Sequence, residues 1–164
     1  MGELLRAIRF RRWDRPDAEW LPAGQIHADP LADLNTVDST LSIWLVDDEA
    51  NLDRIATALA ANRDDLDKVD CALIDEQVLA ASGFSLEPSE GDTPDSEANK
   101  LWHRNVMKLS GDGLVHLATV ILENMKRKGY GREDVQGLIA QGLASKRIDY
   151  AKLKKKMKER FPQQ

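Results

Sequence analysis

Apolar and polar residues follow patterns that favour strands in the first half of the chain and helices in the second. Residues 41–46, Leu-Ser-Ile-Trp-Leu-Val, are almost all apolar or β-favouring, which predicts a strand buried on both faces. Residues 47–49, Asp-Asp-Glu, end this strand, and acidic residues suit the first turn of a helix because they lie at the positive end of its dipole. We expect that helix to end near Asn62. Its apolar face consists of Leu52, Ile55, Ala56 and Leu59.

A second strand is predicted at residues 71–74, Cys-Ala-Leu-Ile, between Asp70 and Asp75. Strand, helix and strand within about 35 residues match the size of a βαβ unit, whose two strands run in the same direction. Weaker patterns predict a strand at 4–10, a helix at 77–81 and a short strand at 84–86. Prolines interrupt residues 16–34, where we predict no regular element.

The second half of the chain follows a change in composition. Residues 87–93 contain proline, glycine, hydroxyl and acidic residues, which is typical of a linker. Apolar periodicity then predicts helices at about 94–110, 114–128, 134–143 and 150–160. The predicted fold class is α+β, with a small α/β portion at 1–86 and a portion of three or four helices at 94–164. The acidic linker either separates these two portions or leaves them packed as one body.

Charge is sorted along the sequence, and this changes the expectation for partners. Residues 21–100 hold 18 acidic and 4 basic side chains, whereas residues 101–164 hold 6 acidic and 14 basic ones. The net charge of −5 hides this contrast. Surfaces of opposite sign steer the association of a protein with charged partners. The pattern therefore favours a protein that acts by contact with another protein, and it gives self-association of two copies a physical basis.

Nothing in the sequence points to export or to a membrane. Cys71 is the only cysteine, so no internal disulfide forms, and its apolar neighbours predict a buried structural thiol. The N-terminal residues lack the apolar segment of a signal peptide, and the longest apolar run, at 114–122, is far too short to cross a bilayer. We therefore expect a cytoplasmic protein without membrane contact.

Acidic residues at the ends of the two predicted strands are the candidate metal ligands. In a βαβ unit both strands end at the same edge of the sheet, so we expect Asp47, Asp48 and Asp75 to lie close together. Oxygen ligands suit Mg²⁺, which would make the protein a metal-dependent hydrolase or transferase. The simpler interpretation is that these acids end strands and cap helices. No zinc, nucleophile or phosphate-loop motif accompanies them, so an enzyme is the less favoured interpretation.

His116, within an apolar helix, is predicted to be a core residue.

The predicted C-terminal helix is the other candidate site. Its spacing produces one apolar stripe, formed by Tyr150, Leu153, Met157 and Phe161. The rest of its surface is basic, formed by Lys152, Lys154, Lys155, Lys156, Lys158 and Arg160. Three interpretations are open: a packed helix with a solvated face, contact with an acidic protein surface, or binding to nucleic acid or an anionic membrane. The negative net charge and the lack of stacking aromatics disfavour nucleic acid, and the narrow stripe without Trp disfavours a membrane.

The sequence therefore predicts a small accessory or regulatory protein that binds another protein through segregated acidic and basic surfaces. Two alternatives stay open. One is a divalent-metal-dependent enzyme built on the acids at the strand ends, and the other is a nucleic-acid-binding module built on the basic C-terminal helix.

Overall fold

Strands from both halves of the chain meet in one sheet. A computed structural model describes residues 2–14 and 18–163, and within them the chain forms six strands and seven α-helices. The strands are β1 (Glu3–Ile8), β2 (Leu41–Val46), β3 (Val69–Asp75), β4 (Leu86–Pro88), β5 (His103–Val106) and β6 (Lys126–Tyr130). The helices are α1 (Phe10–Trp13), α2 (Glu49–Ala61), α3 (Glu76–Ala81), α4 (Ser96–Leu101), α5 (Gly111–Asn124), α6 (Arg132–Ala144) and α7 (Lys155–Arg160). Short 3₁₀ helices occupy Asp29–Asp33 and Tyr150–Lys152.

The sheet has the strand order β4-β5-β2-β1-β3-β6, and every neighbouring pair is antiparallel. β1 lies between β2 and β3, with Leu5 opposite Trp44 on one side and opposite Leu73 on the other. β2 and β3 therefore run in the same direction without pairing, and α2 connects them over one face of the sheet. The predicted βαβ unit is present in this split form, with β1 inserted between its two strands.

Side chains alternate across the sheet and build a core on each of its faces. On one face, Leu5 and Trp44 pack in a cluster with residues of α2, α6 and α7. On the other face, Leu4 and Ile43 pack in a cluster with residues of α3 and α5. Because helices cover both faces, a central strand such as β2 is almost continuous in apolar residues, which is the pattern that predicted it.

Several predicted elements are confirmed. The fold class is α+β, and helices dominate the C-terminal portion. β2 has the predicted bounds of 41–46, and α2 ends at Ala61 with Asn62 as its C-cap. The strand predicted at 71–74 is present as the core of β3. These elements share a strong local pattern of burial or capping, which is why they were visible in the sequence.

Two strands replace parts of predicted helices. The helix expected at 94–110 ends at Leu101, and the chain then forms β5, which pairs with β2. The helix expected at 114–128 ends at Asn124, and the chain then forms β6, which pairs with β3. In both places the apolar residues fit a helical spacing. Hydrogen bonds to strands distant in sequence decide the structure instead, and such pairing leaves no local pattern.

The predicted C-terminal helix is broken in its middle. A 3₁₀ turn is followed by extended backbone at Leu153 and Lys154 before α7 begins. The apolar stripe survives this break, because Leu153 and Met157 are buried and the aromatic rings at both ends of the stripe pack against the same core.

The chain between β4 and β5 forms a packed loop. Within the segment 87–93, the first two residues belong to β4 and Thr93 is buried. The Thr93 hydroxyl donates a hydrogen bond to Oδ1 of Asn99 at 2.7 Å. Gly91 is required where it lies, since a Cβ at this position would come within 2.8 Å of the Trp44 ring. The loop is therefore held against β2 by close contacts.

An ion pair fastens α2 to the start of α4. The guanidinium of Arg54 donates to both carboxylate oxygens of Asp95, at 2.6 and 2.8 Å, and to Glu97 at 2.7 Å. Asp95 is also the N-cap of α4 and is 1% exposed. The hydrogen bonds to Asp95 raise the pKa of Arg54 further above its ordinary value. This contact joins the two portions of the chain on one face of the sheet.

Within the described residues, no helix combines the length and the apolar character needed to cross a membrane. In the stretch 16–34, where no regular element was predicted, the 3₁₀ helix at Asp29–Asp33 is present. Residues 15–17 lie outside the described residues.

Candidate interaction surface

Acidic side chains gather at the end of the sheet where β2 and β3 finish. Because these strands run in the same direction on either side of β1, their carboxyl ends lie at one sheet edge. Asp47, Asp48 and Asp75 line an open groove of about 520 Å³ there, together with Glu3 and Lys126. The three acids that the sequence singled out are thus brought around one groove. We name this region the acidic end, and it comprises Glu3, Asp47, Asp48, Glu49, Asp75 and Glu76.

Two of these acids have a clear structural role. Asp48 is the N-cap of α2, and its Oδ1 accepts a hydrogen bond from the Asn51 backbone N–H at 2.7 Å. Asp75 is the N-cap of α3, and its Oδ1 accepts a hydrogen bond from the Gln77 backbone N–H at 2.8 Å. A cap of this kind typically contributes about 1 kcal/mol to stability. Capping therefore explains these two acids without any ligand.

The other acids of this region carry charge into solvent. Asp47, Glu49 and Glu76 are exposed, and none of them forms an ion pair within the described residues. Lys126 donates a hydrogen bond to Oε1 of Glu3 at 2.7 Å, and this bond raises the pKa of Lys126. In the described part of the chain, Lys126 is the one cation that lines the groove. The acidic end therefore presents a net negative surface.

The expected Mg²⁺ site depends on how the carboxylates of Asp47, Asp48 and Asp75 are arranged. Two of them already direct an oxygen to a backbone N–H at the start of a helix. Across residues 2–14 and 18–163, no group of three His, Cys, Asp or Glu side chains is arranged to hold a metal ion. The Mg²⁺ site and the metal-dependent reaction stay predictions from the sequence.

Basic side chains of the C-terminal segment meet acidic residues of the same chain. Lys154 Nζ lies 3.0 Å from Oδ1 of Asp64, and Arg160 pairs with Asp65. The hydrogen bond from Arg160 lowers the pKa of Asp65 to about 2. Both pairs are exposed, so each adds little to stability. They do offset the positive charge of this surface with carboxylates from the α2–β3 connection.

The remaining cations of the C-terminal segment divide into two groups. Lys158 donates a hydrogen bond to the Ala151 carbonyl at 2.9 Å and lies over the Tyr150 ring, 5.7 Å from its centroid. Three others are exposed and form no ion pair among the described residues: Lys152, Lys155 and Lys156. Half of the side chains predicted to bind a partner are therefore engaged within the chain.

Sequence reasoning did not single out Glu3 and Lys126 as neighbours of the strand-end acids. Glu3 joins them because β1 inserts between β2 and β3, and Lys126 joins them because β6 pairs with β3. Both contacts are distant in sequence and leave no local signal. Glu49 and Glu76 were within reach of a sequence argument, since each is the first residue of a helix that follows a strand-end acid.

The histidines occupy contrasting positions. His103 is buried on β5, its Nδ1 lies 2.7 Å from Oγ of Ser89, and its ring meets the edge of Trp44. Burial lowers the pKa of His103, which keeps its ring neutral near pH 7. His116 is exposed and stacks on Phe84. The core position predicted for His116 is wrong, because α5 buries only one face against the sheet.

Comparison of the chain with models of protein families, with curated proteins and with solved structures finds no match. Function is therefore inferred from the geometry and charge of the chain itself.

Proposed function

We propose that this chain is a binding protein whose acidic end contacts a basic surface of another protein. The observation that carries the proposal is the exposed charge of Asp47, Glu49 and Glu76 at one end of the sheet, where none of them forms an ion pair with another described residue. Capping accounts for Asp48 and Asp75, and the helix dipole favours Glu49 and Glu76 in the first turns of α2 and α3. Together with Asp47, these two residues still present exposed charge of one sign on one surface. Charge of one sign on one surface favours fast association with a partner of the opposite sign.

Regular elements fix the backbone of the residues that carry these carboxylates. Asp47 directly follows β2, and its backbone N–H donates a hydrogen bond to Oδ1 of Asn51 at 2.9 Å. Glu49 and Glu76 are the first residues of α2 and α3. A surface built on strand ends and helix starts loses little conformational freedom when a partner binds, which supports affinity.

Charge compensation favours the acidic end over the C-terminal cations as the principal binding surface. Lys154 and Arg160 already pair with Asp64 and Asp65, so an acidic partner would compete with the chain's own carboxylates. Among residues 2–14 and 18–163, a basic partner at the acidic end meets such competition only at Glu3, which pairs with Lys126. We include in this proposal an accessory or regulatory role and a cytoplasmic location, which a free and buried thiol at Cys71 supports.

Affinity capture with matched variants tests the proposed function. The baits are the wild-type chain, the variant Asp47→Asn/Glu49→Gln/Glu76→Gln, and a control with equal charge change, Glu87→Gln/Glu90→Gln/Glu133→Gln. The control residues are exposed and lie outside the acidic end. We expect the wild type and the control to retain the same stoichiometric partner from a native lysate at low salt, and the first variant to lose it. Raised salt should slow the association of the wild type.

Retention of the partner by all three baits would contradict the proposal, and so would an association rate that is indifferent to salt. A wild-type bait that captures no protein would also contradict it. In that case, the melting temperature with and without millimolar Mg²⁺ becomes the relevant measurement. An increase of the melting temperature by Mg²⁺ that the variant Asp47→Asn/Asp75→Asn abolishes would favour the metal-dependent alternative.

A further inference from the structure

Cationic side chains from separate parts of the sequence line a groove at the opposite end of the sheet. The groove has a volume of about 310 Å³ and lies where β1 ends and β3 begins. Its charged lining consists of Arg9, Arg11, Arg63, Lys68, Asp67 and Asp70. No single segment of the sequence carries this cluster. Two arginines flank the start of α1, and the other charged residues come from the α2–β3 connection and from β3.

The chain engages the two carboxylates of this groove to different extents. Asp70 is 6% exposed, accepts a hydrogen bond from the Phe10 backbone N–H at 3.1 Å, and lies 3.3 Å from Nζ of Lys68. Asp67 accepts a hydrogen bond from the Lys68 backbone N–H at 2.8 Å. Among the described residues, no carboxylate lies within ion-pair distance of the guanidinium groups of Arg9, Arg11 and Arg63. With four cations against two carboxylates, the groove lining keeps a net positive charge and guanidinium donors outside any ion pair.

Contacts within the chain position part of this lining. The guanidinium of Arg63 donates one hydrogen bond to the Lys68 carbonyl, which holds it beside the groove. The backbone N–H of Arg9 donates to Oδ2 of Asp33 at 2.8 Å, which fixes the turn between β1 and α1. Arg63, whose guanidinium is already engaged, loses less freedom on binding than a free side chain would, whereas Arg9 and Arg11 are exposed and add positive charge to the groove lining.

We propose that this groove binds the phosphate group of a small phosphate ester. The N–H donors of a guanidinium match the spacing of phosphate oxygens, and they do so more specifically than an ammonium group. A phosphate offers enough oxygens for three guanidinium groups, whereas one bidentate pair satisfies a carboxylate. The groove volume falls at the lower end of the range for small-ligand sites, roughly 300–1,000 Å³. This site is independent of the acidic end and of the function proposed for it.

Isothermal titration of the full chain at low ionic strength tests this site, with phenyl phosphate and inorganic phosphate as probes. The variants are Arg9→Gln/Arg11→Gln and the single change Arg11→Gln. The single change alters one exposed side chain, so it keeps the test valid if the double variant fails to fold. The control is Lys155→Gln/Lys156→Gln, which removes equal charge from α7. We expect the double variant to bind phenyl phosphate at least about tenfold more weakly than the wild type, and the control to bind as the wild type does.

Several results would overturn the assignment. One is the absence of saturable binding of phenyl phosphate to the wild type. Another is an equal loss of affinity for phenyl phosphate in the groove variants and in the control. Equal affinity for phenyl phosphate and inorganic phosphate would overturn the assignment to an ester. A single-stranded oligonucleotide that binds more tightly than phenyl phosphate, with a loss of affinity in every variant, would indicate an extended nucleic-acid surface in place of a small-ligand groove.

Discussion

Cys71 lies in the middle of β3, fully buried in the core beneath α2. The sequence predicts a structural thiol at this position, since its neighbours on both sides are apolar. Burial raises the pKa of Cys71 to about 12, because the thiolate would lose its hydration inside the core. A thiol of this kind is a weak nucleophile at neutral pH, so its chemical contribution is to stability rather than to reaction.

We expect Cys71 to make the protein less stable at alkaline pH. Between pH 9 and about pH 12 the unfolded chain loses the thiol proton while the folded chain keeps it. Deprotonation therefore favours the unfolded state. Above pH 9 the free energy of unfolding falls by up to about 1.4 kcal/mol per pH unit because of this thiol. Urea unfolding of the wild type and of Cys71→Ala, at about pH 8 and about pH 10, measures the effect. The free energy of unfolding should fall more for the wild type than for Cys71→Ala over this interval, and equal decreases would contradict the raised pKa of Cys71.

Individual residues show where sequence reasoning succeeds. Asp48 and Asp75 each follow a strand and precede a helix, so both their capping role and their shared sheet edge were accessible from local pattern and the geometry of a βαβ unit. The groove arginines were not accessible in this way. Arg9 and Arg63 are distant in sequence, and only the folding of β1 beside β3 brings them to one groove.

At the scale of elements, two glycines of α6 provide a matched pair of substitutions. A Cβ on Gly142 would lie 2.6 Å from Cγ1 of Ile148, whereas a Cβ on Gly137 would meet no atom within 4 Å. We expect Gly142→Ala to destabilise the protein by about 1–3 kcal/mol through overpacking. Gly137→Ala should stabilise it by about 0.5–1 kcal/mol, because alanine loses less backbone entropy in a helix. Urea unfolding measures both effects, and changes of the same sign would refute the close contact.

The elements also separate what local pattern determines from what it does not. β2 and α2 follow from runs of apolar residues and from the acids between them, which is information held within about 20 residues. β5 and β6 are short, partly polar strands whose place is set by β2 and β3. Their residues fit a helical spacing equally well, so the sequence alone assigns them to the wrong element.

At the scale of the whole molecule, we expect unfolding in a single cooperative transition. β2 pairs with β5 and β3 pairs with β6, so both predicted portions contribute to one sheet. Trp13 and Trp44 report on the cores at opposite faces. Urea unfolding followed by tryptophan fluorescence and by far-ultraviolet circular dichroism should therefore give coincident curves. Two separated transitions would indicate that the portions fold independently.

A fragment of residues 1–93 serves as the control for this expectation. Without β5 and β6, the outer edges of β2 and β3 lose their partners, and the core beneath α6 and α7 is open to solvent. We expect this fragment to unfold without a cooperative transition. A fragment that unfolds as sharply as the full chain would show that the first portion is a stable unit of its own.

The outer strands of the sheet determine how copies of the chain behave when they are crowded together. A strand with a free edge is the template on which further strands add during aggregation and fibril growth. β4 is three residues long and ends in Pro88, which has no N–H to offer. β6 carries Lys126, Arg127 and Lys128 in succession, and charged side chains along an outer strand disfavour its pairing with a second copy. Each outer strand thus resists fusion with a second sheet, and the chain is protected from fibril growth at both margins.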